Sequence, residues 1–290
     1  TPGEPVQLNL EVTNRSAQSV QLRNVHLLPM QKDTAVNQEL DNNKNWTLKY
    51  NLNLPVDLPI TNAYWLKEDH PIGRYRVDDQ MLRGLPETPR QFQAAFDLEI
   101  NGTLLTYVKD VMFKKTDPVD GEVHQPFEVT PPVFANIKDK VYVFAGQSPQ
   151  TVEVVIKSGA ANLSGSAALK IPADWKVEPA TAPFNLALKG AEQVLSFTVF
   201  PPENATEGIV EAVATVNGVD YSKNIYAIEY KHIPTQTILR PSTARVVRLD
   251  LRKAGEKVAY IMGAGDDIPA SLRQVGYQVD ILSESNITLD

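Results

Sequence analysis

The stretch Pro5-Val-Gln-Leu-Asn-Leu-Glu-Val-Thr13 sets Val6, Leu8, Leu10 and Val12 at every second position, with polar residues between them. Period two is the spacing of a strand with one buried face, and a chain that repeats it must pack sheet against sheet. The pattern recurs over Ser19–Leu28 and again over Trp46–Val56, where Trp46, Leu48, Tyr50 and Leu52 share a face. Asn14-Arg15-Ser16 supplies a turn between the first two runs. Gln91–Ile100 leads through Asn101-Gly102 into Thr103–Phe113, and Asn-Gly between two apolar runs is the strongest short-range hairpin signal.

A second series of strands spans Lys140–Gly146, Thr151–Gly159, Gly165–Pro172, Ala191–Pro202, Ile209–Gly218 and Val219–Tyr230, with Asn217-Gly218 as another hairpin turn. Between the two series, residues 115–132 are rich in proline and acidic side chains and read as an extended connector. The period becomes helical in VAYIMGAGDDIPASLRQVGYQVDIL (258–282), a strand, a glycine turn, a helix and a second strand. The expected class is therefore mainly β: two tandem immunoglobulin-like β-sandwiches plus a truncated α/β segment of flavodoxin- or amidotransferase-like type. The expected boundaries are 1–116 for the first sandwich, 117–135 for a linker, 136–232 for the second sandwich, 233–256 for a connector and 257–290 for the start of the α/β unit.

Composition removes several function classes. A net charge of −7 with no basic run argues against nucleic acid, which requires a concentrated positive field. The absence of cysteine excludes disulfides, thiolate catalysis and cysteine-bound zinc. No apolar run reaches the roughly 18–20 residues of a membrane span.

Residues 136–220 carry Pro172-Ala-Asp-Trp175-Lys-Val177-Glu-Pro179, then Gly190-Ala-Glu192 before the next strand, then Pro201-Pro202 followed by Ala205-Thr206-Glu-Gly208. This arrangement resembles the NEW-type β-sandwich found beside NPCBM modules in bacterial glycan enzymes. Four further segments, 63–89, 115–133, 228–237 and 258–279, occur in an order that resembles the region after the catalytic domain in large bacterial PIG-L/LmbE-family sugar deacetylases. The resemblance implies an extracytoplasmic parent enzyme that removes acetyl groups from N-acetylglucosamine-like sugars with a zinc-bound water.

The family's catalytic motif is His-Pro-Asp-Asp, completed by a later His-x-x-His. Here His70-Pro71 is followed by Ile72-Gly73, Asp78 and Asp79 come too late, and His26, His124 and His232 are scattered. The expectation for this chain is no catalytic, cofactor-binding or metal-binding residue, with zinc confined to the parent's catalytic domain. The expected partners are that catalytic domain, the remainder of the α/β domain and glycan, with no nucleic acid and no membrane span. The alternatives are a carbohydrate-binding module in its own right and, from a third class, a nucleotide-binding enzyme fragment.

The segment from Tyr64 to Arg76 concentrates aromatic and charged residues: Tyr64, Trp65, Lys67, Glu68, Asp69, His70, Arg74, Tyr75 and Arg76. Tyr64, Trp65, His70, Arg74, Tyr75 and Arg76 are the candidate interdomain or glycan contacts, since arginine forks and rings suit polar interfaces. The plain alternative is a decorated loop whose Trp65 covers the sandwich edge. Trp175 is expected in the core with one partner for its indole N–H. Asp78-Asp79 reads as a solvated turn rather than a calcium site. Gly263-Ala264-Gly265 lacks the third glycine of the dinucleotide fingerprint, Ile268 standing in its place. Asp266 and Asp267 are therefore expected to cap the helix instead of yielding to a phosphate.

Overall fold

A computed structural model of the chain describes residues 1–68, 70–263 and 265–283. Asp69 of the aromatic loop, Ala264 of the glycine turn and residues 284–290 of the expected α/β unit lie outside the described residues. The protein is mainly β and divides into two compact units, Thr1–Pro131 with Ile225–Leu239 and Pro132–Asn224 with Arg240 onward.

The first unit contains β1 (Pro5–Thr13), β2 (Val20–Leu28), β3 (Lys32–Glu39), β4 (Asn45–Asn53), β5 (Gln93–Ile100) and β6 (Thr103–Asp110), followed by a hairpin of β7 (Met112–Asp117) and β8 (Gly121–Pro126). Strands β1 and β4 pair antiparallel with Val6 opposite Leu52, Leu8 opposite Tyr50, Leu10 opposite Leu48 and Val12 opposite Trp46. Both apolar faces thus lie on one side of the pair, and they share a core with Leu22, Val25, Leu27, Ala94 and Phe96 of the sheet β3-β2-β5-β6. Leu22, Val25 and Leu27, fully buried, each contribute about 1.5–3 kcal/mol.

Strand β2 departs from strict alternation in a way that the core requires. Leu22 and Val25 are three residues apart, so period two would send them to opposite faces, yet both are fully buried. Against β5 the register shifts between Leu22 and Asn24 with Arg23 unmatched, which makes Arg23 the extra residue of a β-bulge and restores the phase. Against β3 the shift at the same place puts the extra residue on β3, where Val36 and Asn37 face Arg23. Arg23 projects to Glu99 across the sheet, at 2.7 Å.

The β5–β6 turn has Asn101 at φ 49 and Gly102 at φ 83, both left-handed as a two-residue primed turn demands. The stretch read as a connector instead contains β8. Asp117 Oδ1 accepts the N–H groups of Val119 (2.8 Å) and Asp120 (3.0 Å), and that aspartate turn closes the hairpin. Proline and acid content concealed a hairpin because β7 and β8 are nearly wholly exposed and need no apolar face.

The second unit holds β9 (Val133–Ile137), β10 (Val141–Phe144), β11 (Gln150–Ser158), β12 (Leu163–Lys170), β13 (Lys176–Glu178), β14 (Ala182–Leu186), β15 (Glu192–Phe200), β16 (Thr206–Val216) and β17 (Val219–Tyr221). Next come β18 (Lys223–Tyr230) and β19 (Ile233–Pro241), paired as a hairpin, and then β20 (Thr243–Arg248). One sheet runs β13-β15-β11-β9 and the other β10-β20-β16-β12-β14, with β17 also on β16. Between them lie Ile137, Phe144, Val152, Val154, Ile156, Phe197 and Val199, all fully buried. Gly165 is a close-approach glycine, since a Cβ there would sit 2.3 Å from the Thr215 carbonyl oxygen.

Residues 233–256, expected as a connector, contain β19 and β20. Most of the β18–β19 hairpin belongs with the first unit, so the chain passes between units after Pro131, after Asn224 and after Leu239. Further on, β21 (Lys257–Ile261), α1 (Ile268–Gln274) and β22 (Gln278–Leu282) form a βαβ unit, its strands pairing parallel with Val258 opposite Val279.

Candidate functional site

The long segment between β4 and β5 in the first unit is tied down by side chains that imitate backbone. The Thr61 N–H donates to the Val129 carbonyl and the Val129 N–H donates to Thr61 Oγ1, both at 2.8 Å. The Asn62 amide donates to the Leu239 carbonyl and accepts the Leu239 N–H, both at 3.0 Å, acting as one more strand residue beside β19. Thr88 Oγ1 accepts the Tyr64 N–H (2.9 Å) and donates to the Asn62 carbonyl (3.1 Å). Arg90, largely buried, is clamped between Glu128 and Glu87, and Gln236 Nε2 donates to Glu87 at 3.3 Å. These groups leave a cleft of about 270 Å³ lined by Trp65, Thr88, Arg90, Glu128 and Gln236.

The structure places the six candidate residues as two aromatic pairs and two arginines. Tyr64 and Trp65 sit in a 3-10 turn (Tyr64–Leu66) with rings edge to face at 4.8 Å, and the Tyr64 O–H donates to the Leu85 carbonyl at 3.0 Å. His70 and Tyr75 form a second edge-to-face pair at 4.7 Å on the exposed loop. Arg76 pairs with Asp78 at 3.1 Å, and the Arg74 side chain has no partner among the described residues. Of the six, Trp65 alone lines the cleft.

Asp78 and Asp79 are each committed locally, the first to Arg76 and the second to the Met81 N–H at 2.9 Å, so the pair is a turn. The histidines occupy four separate places: β2, the aromatic loop, β8 beside Glu122, and the β18–β19 turn beside Tyr230. Among the described residues no three His, Asp or Glu side chains are grouped to hold a metal ion. Among those residues no donor set fits the zinc that the resemblance implies for the parent.

One cluster escaped sequence reasoning. On the outer face of β3-β2-β5-β6, Asp33 Oδ1 lies 2.7 Å from His26 Nδ1, and His26 Nε2 lies 2.9 Å from Asp97 Oδ2. Asn24 and Thr106 also donate to Asp97, at 3.1 and 2.7 Å. The bonds to Asp97 and Asp33 raise the His26 pKa, while the bonds from Thr106 and His26 hold Asp97 down at about 2. A carboxylate oxygen at each ring nitrogen favours the imidazolium form of His26 and leaves neither nitrogen free of a partner. The outward position of His26 follows from the bulge, but its partners depend on strand register that period two alone does not specify.

Two expectations are corrected. Trp175 is buried in the core, edge-on to Phe144 at 4.9 Å, but its indole N–H has no hydrogen-bond partner among the described residues, because the surrounding core is apolar. The aspartates of the glycine turn do not cap α1: Asp267 stands at the N-cap position without a side-chain bond. Asp266 turns back instead, and its Oδ2 accepts the Gly263 N–H (3.1 Å) and the Tyr260 O–H (2.9 Å). Gly265, at φ +72, provides the reversal that aims it there. A Cβ on Gly263 would lie 2.7 Å from that same oxygen. One N–H of the glycine turn, that of Gly263, thus already serves a carboxylate of the chain itself.

No helix among the described residues is long and apolar enough to cross a membrane. Neither models of known protein families nor curated proteins give a match to this chain.

Proposed function

We propose that this chain is a non-catalytic accessory and scaffold region of a multidomain bacterial LmbE-like sugar deacetylase, acting outside the cytoplasm. Its role in this reading is to hold the catalytic domain near glycan. The observation that carries the reading is the spread of Tyr64, Trp65, His70, Arg74, Tyr75 and Arg76 over a surface rather than within one pocket. Rings presented edge-on beside an arginine that has no side-chain partner among the described residues suit the polar face of another protein. The exposed Ile261 and Ile281 of the parallel β21–β22 pair add apolar surface of the kind that further α/β structure covers. The test is binding between this chain and the catalytic domain encoded by the same gene, followed by calorimetry. The expected result is a complex weakened at least tenfold by Trp65→Ala combined with Tyr75→Ala. A gene without an upstream His-Pro-Asp-Asp motif, or no complex at all, overturns the proposal.

A second reading, direct carbohydrate binding, is favoured by the cleft in which Trp65 meets Arg90, Glu128 and Gln236. Titration with N-acetylglucosamine oligomers distinguishes it: heat that disappears in Trp65→Ala supports a sugar site, and no heat removes it.

A further inference from the structure

Strand β6 is the open edge of the sheet β3-β2-β5-β6, and all eight of its residues are exposed. Its apolar side chains are large and lie on both faces: Leu104 is 59% exposed, Leu105 42%, Tyr107 50% and Val108 50%. Natural sheets blunt such edges with charge, proline or short length. The opposite edge, β3, is protected in this way by Lys32, Asp33 and Glu39. Strand β6 has no charge, proline or glycine over Thr103–Val108, and its only charges, Lys109 and Asp110, come at the end.

The turn geometry decides which backbone groups are free. A two-residue turn makes Ile100 and Thr103 the first hydrogen-bonded pair, so Thr103, Leu105, Tyr107 and Lys109 bond β5. Leu104, Thr106, Val108 and Asp110 therefore direct their N–H and C=O groups out from the sheet.

We infer that β6 is a self-recognition edge through which two copies of this chain pair antiparallel, about a two-fold axis at Thr106. In that register every outward backbone group from Leu104 to Val108 finds a partner. Leu104 lies opposite Val108 and Leu105 opposite Tyr107, and each pair occurs twice, as an isologous interface requires. Lys109 meets Thr103 and Asp110 meets Gly102, so no like charges are opposed. On a chain of net charge −7, this strand is itself electrically balanced, so its pairing adds no local repulsion. The two four-stranded sheets then become one continuous sheet.

The test uses the full chain and its lack of cysteine. Light scattering coupled to size exclusion is expected to give twice the monomer mass. Val108→Pro removes an outward N–H while leaving the β5 ladder intact, and Leu104→Lys adds a charge at the edge; each is expected to weaken the dimer at least tenfold. Circular dichroism of both variants confirms that they fold. Under mild oxidation Thr106→Cys is expected to form a disulfide-linked dimer, because the axis brings the two copies of residue 106 together. Thr103→Cys, placed roughly 20 Å from its own copy, is expected to remain unlinked. A monomeric wild-type chain at high concentration overturns the inference. So does a dimer that survives both edge variants, which would place the contact elsewhere, or equal cross-linking of the two cysteine variants.

Discussion

The same dipeptide makes two hairpins with different fates. Asn101-Gly102 and Asn217-Gly218 adopt nearly identical left-handed turns, with φ of 49 and 83 in one and 51 and 78 in the other. After the first, β6 continues for eight residues along an open edge; after the second, β17 ends at Tyr221 after three. The turn fixes the register of the closing pair, and the sequence beyond it decides how much edge is left open. Val219-Asp-Tyr-Ser offers little apolar continuation and the chain leaves the ladder, whereas Leu104-Leu-Thr-Tyr-Val108 supplies β-favouring side chains without interruption.

The largest effect is expected in β5, the strand beside β6. Phe96→Ala, in the core and directly opposite Tyr107, should cost about 3–5 kcal/mol in chemical denaturation. Tyr107→Ala should cost less than about 1 kcal/mol at concentrations where the chain is monomeric. Equal losses would mean that β6 is far better covered than its exposure indicates. Next in size, Gly102→Val and Gly218→Val should each cost about 1–2 kcal/mol, since both place a β-branched residue at positive φ. A marked difference between them would show that the turns are not energetically equivalent despite their shape.

The outer face of the β5–β6 hairpin also carries a pH dependence. Asp97 titrates at about 2 in the folded chain, below its usual 3.8, so its contribution is complete above about 4 and is lost as pH falls toward 2. Asp97→Asn should cost about 1–2 kcal/mol at neutral pH and nearly nothing near pH 2. The His26 pKa is raised, so its smaller contribution is complete below about 6.5 and is lost as pH rises through the folded value. His26→Gln should therefore destabilise most at pH 5 and least at pH 9, and a loss that grows with pH would contradict the paired imidazolium.

The mainly β architecture was legible because apolar alternation and two Asn-Gly turns both specify it, as Val6 to Val12 and Ile100 to Thr103 illustrate. What escaped was structure with little apolar signal of its own. Strands β3 and β8 are mostly exposed, and β19 buries Leu239 alone to any depth. The candidate loop was visible as a concentration of residue types, but its division into two ring pairs depends on backbone turns that composition does not encode. The Asp33–His26–Asp97 cluster joins residues from three strands, and only the Arg23 bulge brings His26 into line with them. At the glycine turn, residue types at a helix start suggested capping, while the geometry of Gly265 sent Asp266 the other way.

The three passages of the chain between units have a consequence for inheritance. The first unit is not written as one uninterrupted stretch, because Asn62 and Glu87 take partners from Leu239 and Gln236, more than a hundred residues downstream. A recombination event that carried off residues 1–131 would leave the β18–β19 hairpin behind, with Leu239 stripped of its surroundings. Duplication or exchange of this region is therefore expected to preserve the whole interleaved span, and a lineage that swaps one unit must swap both.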